Sequence, residues 1–189
     1  MNAPLTPQPT LAISVSHADG ICDDVIAQYY TDNFITPIAQ TTLVYISELI
    51  NTGLTLPDYA DLDSEIWQSK DKVLDIYITD MQEGRQLNLD ARGKDYATNI
   101  LSYPSDLPTS LIEVMPELPL GELIICHDVL ITQADEQGKT TEQHLTHLLV
   151  HGILHLLGFD HELGQTEQDE MEGFEIEILA NLGLPNPYE

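Results

Sequence analysis

Residues 151–161 read HGILHLLGFDH, in which three histidines follow the spacing H-x3-H-x5-H. Because residues four apart lie on one face of a helix, with Cβ atoms about 6 Å apart, His151 and His155 can reach one metal ion. Gly158 can end the helix in a left-handed conformation, after which His161 can return as a third ligand. Three protein ligands leave one tetrahedral position open, which is typical of catalytic zinc. The segment therefore predicts one zinc ion per chain.

The composition indicates a single globular domain. The chain has 189 residues, of which 42% are hydrophobic, and this is enough for one domain with a buried core. Residues 1–10 contain three prolines and predict a disordered-like tail, with the domain spanning 11–189. No apolar run is long enough for a membrane span, and the tail lacks signal-peptide features. The two cysteines, Cys22 and Cys126, provide no disulfide framework, which favours the cytoplasm.

The net charge argues against passive binding to nucleic acid. The 32 acidic and six basic residues give a formal charge of −26, whereas affinity for phosphate comes mainly from Lys and Arg. A strongly solvated surface is the simplest interpretation, and no binding to DNA or to a membrane is expected. Three of the six basic residues nevertheless lie within ten positions of one another, namely Arg85, Arg92 and Lys94.

Apolar periodicity predicts strands and helices along the whole chain. Strands are expected at 11–17, 73–79, 98–103 and 121–130, of which the last is the most apolar and is expected to be central. Helices are expected at 25–50 (divided in two by Pro37), at 81–89 with Asp80 as N-cap, at 141–157 and at about 166–182. Residues 54–72 are expected to form a surface excursion with one helical turn, and residues 132–140 a hairpin-like or flexible loop.

Further polar residues surround the predicted ligands. On the long helix, His147 is expected to lie behind the ligands or to pack, and His144 is expected to be exposed. Asp160 can either orient an imidazole N–H or cap the turn. Glu162 is expected to be solvated. Glu175, on the last helix, can either brace the ligand loop (residues 158–165, which contain His161) or lie on an exposed face.

The histidine segment is similar to two families. Its spacing matches that of the metzincin proteases, but those enzymes carry a glutamate general base where this chain has Gly152, and glycine cannot accept a proton. The segment more closely resembles the signature H-G-x-L-H-L-x-G-(Y/F)-D-H of the YbeY family of bacterial endoribonucleases and rRNA maturation factors. Leu87-Asn88, Arg92 and the run TNILSYP at 98–104 resemble upstream blocks of that family in the same order.

The resemblance implies both a fold and a function. The fold is a single α/β (α+β) domain, in which helices cover a small mixed sheet and the tri-histidine zinc site lies at the mouth of a cleft. The function is zinc-dependent cleavage of single-stranded RNA in ribosomal RNA maturation, including small-subunit rRNA 3′-end processing, and in ribosome quality control. Ribosomal RNA, the ribosome and ribosomal proteins are the implied partners. Asn99 and Ala91 depart from the family's Asp and aromatic residue, which concerns substrate contacts more than the metal.

The expected chemistry requires a cation beside the metal. Zinc held by three neutral imidazoles can lower the pKa of bound water from about 15.7 towards about 7, and negative charge then builds up on the phosphate. Arg92 is the candidate catalytic residue, because guanidinium can form two parallel hydrogen bonds with phosphate and because it matches the family's basic position. An ion pair at a helix end is the alternative role for Arg92. The nucleophile, water or the 2′-hydroxyl of RNA, stays open.

Two alternative functions also stay open. One is a metzincin-like zinc peptidase, which Gly152 disfavours. The other is a non-enzymatic ribosome-associated module that uses zinc only for folding. Separately from these alternatives, the charge of −26 predicts weak intrinsic affinity for free RNA, with a partner or the ribosome supplying much of the targeting.

Overall fold

A four-stranded mixed sheet lies at the centre of the fold. The computed structural model describes residues 9–189, and most of the expected tail at 1–10 lies outside the described residues. The strands are β1 (Leu11–His17), β2 (Asp71–Thr79), β3 (Ile100–Pro104) and β4 (Glu117–Cys126), in the spatial order β1-β2-β4-β3. β2 is parallel to β1 and to β4, whereas β3 is antiparallel to β4. The small mixed sheet and the internal position of β4 are as expected.

Helices cover this sheet. Within residues 9–189 they are α1 (Asp23–Tyr29), α2 (Asp32–Asn51), α3 (Ser64–Ser69), α4 (Met81–Arg92), α5 (Thr109–Val114), α6 (His127–Glu136), α7 (Thr141–Leu156) and α8 (Gln165–Asn181), with a 3₁₀ turn at Pro57–Tyr59. Their buried apolar side chains join those of the sheet in one hydrophobic core. The α+β, single-domain prediction is confirmed. None of these helices in the described part of the chain is long and apolar enough to cross a membrane.

Helix α7 occupies the middle of the domain. It contacts α2, α6, α8, β3 and β4, and ten of its 16 residues are buried, so its stability comes mainly from packing. Its first turn is closed by a capping box, in which Thr140 Oγ1 accepts from the Gln143 backbone N–H and the Gln143 side chain accepts from the Thr140 backbone N–H. The helix that carries the histidines is therefore held on several sides.

Gly152 allows α7 to lie close to the sheet. A Cβ atom at this position would come within 2.7 Å of Ile100 Cδ1 and 2.8 Å of Leu123 Cδ2. On the same face, the Ser102 hydroxyl donates to the Gly152 carbonyl at 3.3 Å. Position 152 therefore faces the sheet, and the packing leaves no space there for the glutamate of a metzincin.

Two expectations about where the helices are interrupted are wrong. The helical region 25–50 divides at Tyr30 and Thr31, whereas Pro37 lies inside α2, next to the buried Ile35 and Ile38. Packing of these side chains keeps the helix continuous although proline lacks an N–H donor. The region 132–140 is not mainly a loop, because α6 continues to Glu136 and ends before Gly138, whose φ is +64°.

The excursion at 54–72 contributes to the core more than expected. It contains both the 3₁₀ turn and α3, and Trp67 is only 2% exposed. The Lys72 ammonium lies 4.8 Å from the centre of the Trp67 ring and donates to the Trp67 carbonyl. Burial lowers the pKa of Lys72 to about 8. One of the six basic residues is thus part of the packing.

Gly152→Ala is expected to lower the free energy of unfolding by about 1–3 kcal/mol, because the added methyl group overpacks the contact between α7 and the sheet. Gly173→Ala in α8 is the matched control, since a Cβ atom there meets no atom within 4 Å. Alanine favours a helix over glycine by about 1 kcal/mol, so the control should be neutral or stabilising. Urea denaturation followed by circular dichroism measures both, and equal effects would contradict the close packing at Gly152.

Candidate metal centre

The three predicted ligands come together at the end of α7. His151 and His155 lie on its last turns, and each can offer a ring nitrogen that lies within 4.8 Å of one from His161. Nε2 of His151 and Nε2 of His155 are 3.2 Å apart, close to the separation of about 3.3 Å expected for two nitrogen ligands 2.0–2.1 Å from a tetrahedral zinc. All three side chains are partly buried. The group has the size and the donors that a metal site requires.

Gly158 brings the third histidine back towards the helix. Its φ is +93°, which favours glycine, and a Cβ atom at this position would lie 2.6 Å from the backbone nitrogen of Asp58. The 3₁₀ turn thus packs directly on the ligand loop. Asp160 accepts a hydrogen bond from the Glu162 backbone N–H at 2.8 Å. Of the two roles expected for Asp160, the structure shows the turn cap.

Glu175 of α8 holds two histidines of α7 from behind. Its side chain is 1% exposed. Oε1 lies 2.7 Å from His151 Nδ1, and Oε2 lies 2.6 Å from His147 Nε2. Because a carboxylate only accepts, Nδ1 of His151 carries the proton and its Nε2 is left available to a metal ion. Neutral imidazole with a carboxylate partner is the usual state of a zinc-bound histidine.

The carboxylate of Glu175 is ionised. Burial alone would raise the pKa of this group, but the hydrogen bonds from His147 and His151 outweigh burial and hold the pKa well below its usual value. Glu175 therefore braces α7, whereas the sequence suggested the ligand loop or an exposed face. The available signal was its place in a buried helical stripe with Met171, Ile178 and Leu179.

Burial also keeps His155 neutral. Desolvation, and then the neighbouring His151 and His161, lower the pKa of His155 to about 4. A histidine must be deprotonated on the nitrogen that binds a metal. The side chain is therefore ready for coordination at neutral pH.

The other histidines of α7 have different surroundings. His147 contacts Glu175 and lies behind the ligands, as expected. His144 was expected to be exposed, but it is buried (3% exposed), with Nε2 3.2 Å from Gln133 Oε1. Gln133 Oε1 also accepts from Asn99 Nδ2 at 2.8 Å. The expectation failed because the region assigned to a loop is helix α6, which packs against α7.

Two clefts flank the histidines. A cleft of about 730 Å³ is bordered by β3, the end of α4 and the ligand loop, and all three ligand histidines line it. A second cleft of about 650 Å³, lined by residues of α6, α7, α8 and the C-terminal segment, also reaches His151 and His161. The candidate metal centre is accessible from both.

Arg92 lines the first cleft as the last residue of α4. Its Nη2 lies 3.0 Å from Glu162 Oε1, and both side chains are about half exposed. The alternative role of a helix-end ion pair is therefore observed, with its partner adjacent to His161. Arg85 instead makes two hydrogen bonds of 2.7 Å to Asp95 and does not line this cleft.

Comparisons with known proteins found one matching family model and several similar bacterial proteins. The family model described as Endoribonuclease YbeY matches residues 46–183. Proteins named Endoribonuclease YbeY are similar in Psychrobacter cryohalolentis (68% identity over 151 residues, covering 80% of this chain and 97% of that protein) and Psychrobacter arcticus (70% over 139 residues, covering 74% and 68%). The Acinetobacter baumannii protein of this name is 44% identical over 157 residues, covering 83% and 94%.

The buried His144 predicts a dependence of stability on pH in metal-free protein. Burial, and then His147 and Lys139, lower the pKa of His144 from 6.5 to about 4. The unfolded chain therefore binds this proton first, and the free energy of unfolding falls as the pH falls from 6.5 to about 4. At 1.36 kcal/mol per pKa unit, the loss is about 3 kcal/mol at most.

Urea denaturation in the presence of a chelator, at several pH values in this window, measures the effect. His144→Gln keeps a polar side chain without a group that titrates in this range, so its stability should fall less steeply. Carboxylates that titrate in this window contribute equally to the pH dependence of the unfolding free energy of both proteins. Parallel curves for wild type and variant would contradict the assignment.

Proposed function

The chain belongs to the YbeY family of endoribonucleases, and from this we propose that it cleaves single-stranded RNA with a zinc ion held by His151, His155 and His161. The carrying observation is the convergence of these three imidazoles in a cleft that Arg92 also lines. A metal ion and a guanidinium in one cleft can supply the two things that the proposed cleavage uses, an activated nucleophile and stabilisation of the charge on the phosphate.

The donor set fits zinc. Three imidazole nitrogens at this spacing suit a four-coordinate ion with one open position, and a carboxylate behind one ligand supports the required tautomer. When bound, zinc would lower the pKa of a water molecule and polarise a phosphoryl oxygen. Glu175 would hold the His151 ring in place, while burial would keep His155 neutral.

Arg92 would bind the phosphate. Its guanidinium can direct two parallel N–H groups at phosphoryl oxygens. In the structure it is paired with Glu162. A phosphate entering the cleft would compete with that carboxylate, so binding requires Arg92 to exchange one anionic partner for another.

The proposed biological role is ribosomal RNA processing in the cytoplasm, including small-subunit rRNA 3′-end maturation, and ribosome quality control. The charge of −26 supports a need for the ribosome or ribosomal proteins to deliver the RNA. Two further basic residues are already engaged, since Lys72 is buried on Trp67 and Arg85 is paired with Asp95. Few cations remain to bind free RNA.

The peptidase alternative is less consistent with the packing. Its general base would have to stand at position 152, where the side chains of Ile100 and Leu123 fill the space. The non-enzymatic alternative predicts that metal-loaded protein cleaves no RNA.

His155→Ala is expected to reduce bound zinc from about one per chain to almost none and to abolish cleavage, because two imidazoles cannot hold the ion with catalytic geometry. Metal content is measured by mass spectrometry, and cleavage with an end-labelled single-stranded RNA. His17→Ala is the control, since His17 pairs with Asp23 at 3.4 Å outside the histidine group. Retention of zinc by the His155 variant would refute the ligand assignment.

Arg92→Ala is expected to retain zinc and to lose about 10²–10³-fold in kcat, the usual effect of removing one group that stabilises transition-state charge. Glu162→Gln should instead lower KM, because Arg92 is released from its ion pair. Arg85→Ala is the matched arginine control and should behave like wild type. Full activity of the Arg92 variant would leave this residue with only a structural role.

A further inference from the structure

The C-terminal segment after α8 lies against the back of the candidate metal centre. Gly183, with φ of +78°, turns the chain at the end of α8, and Lys139 Nζ contacts the Pro187 carbonyl at 3.3 Å. The Tyr188 ring stands edge-on to His147 with the ring centres 5.8 Å apart. The Tyr188 hydroxyl donates to Glu175 Oε2.

This contact completes the hydrogen bonding of a buried carboxylate. Oε2 of Glu175 accepts from His147 and Tyr188, whereas Oε1 accepts from His151. Two donors on one oxygen limit rotation of the carboxylate group, so the other oxygen stays directed at His151 Nδ1. The orientation of a metal ligand is set by the partner of its second nitrogen.

We propose that Tyr188 is a positioning residue of the metal centre, which acts through Glu175 on the tautomer and orientation of the His151 ring. The inference deepens the proposed function, because it assigns to the C-terminal segment a part in metal binding. Tyr188 lies beyond residues 46–183, the part of the chain that the family model matches. Tyr188 lines the second cleft and not the first, which Arg92 lines. Its proposed effect on catalysis is indirect, since its hydroxyl donates to Glu175.

The test is Tyr188→Phe, which keeps the ring beside His147 and removes only the hydroxyl. Zinc affinity, measured by competition with a chromophoric chelator, is expected to fall about 10-fold, since loss of a supporting partner of a ligand costs about 10–100-fold. The absorption bands of the cobalt-substituted protein should shift, a change that a loss of stability alone would not produce. The Tm of metal-free protein is expected to fall, because the buried Glu175 carboxylate loses one donor. Tyr45→Phe is the control. Tyr45 of α2 packs edge-on against Phe174, which lies on α8 as Glu175 does, with the ring centres 6.2 Å apart.

A double-mutant cycle separates positioning from simple packing. In a Glu175→Gln background, Tyr188→Phe should produce little further loss of zinc affinity, since the pathway through Glu175 is already broken. An equal loss in both backgrounds, or wild-type affinity in the single variant, would overturn the proposal.

A measurement on metal-free protein distinguishes failure of this inference from failure of the proposed function. Long-range ¹H–¹⁵N spectra report which ring nitrogen of His151 is protonated. Wild type should show the Nδ1–H tautomer alone, and Tyr188→Phe should show a mixture of tautomers. If wild type bound no zinc, the metal proposal would fail, and an unchanged tautomer in the variant would still decide against Tyr188.

Discussion

The buried carboxylate of Glu175 is the interaction on which the functional centre depends. An ionised group that is 1% exposed loses its hydration, at a cost of several kcal/mol unless partners replace the water. Those partners are His147, His151 and Tyr188, which belong to α7 and to the C-terminal segment. α7, α8 and the C-terminal segment therefore have to assemble together, and the assembly that satisfies the carboxylate also orients the His151 ring.

Two glycines set the positions of the histidines within this assembly. Gly152 allows α7 to pack directly on Ile100 and Leu123. This close contact fixes the distance between the helix and the sheet. Gly158 then provides both a positive φ and the space for the backbone of Asp58. The same glycine residues that make the packing possible fix where the imidazoles point, so stability and function constrain the same positions.

The charge of the candidate site differs from the net charge of the protein. The chain carries −26 overall, yet one guanidinium lines the cleft beside the histidines, where Glu162 neutralises it. Under the proposed function, a phosphate that binds Arg92 has to displace the Glu162 carboxylate, which disfavours weak, non-specific contacts with RNA. The net charge of −26 also disfavours binding of free nucleic acid to other parts of the surface.

The sequence by itself determined the fold class and most element positions, and it singled out the three histidines that the structure brings together, because histidine spacing, apolar periodicity and caps such as Asp80 are local properties. It did not place His144, Glu175 or Tyr188. Each of these depends on contacts between segments distant in sequence: His144 is covered by α6, and Glu175 meets the histidines only when α8 packs on α7. Burial and pairing are decided by the tertiary structure, since the same glutamate is a solvated surface group on an isolated helix and an anion that orients two histidines in the folded core.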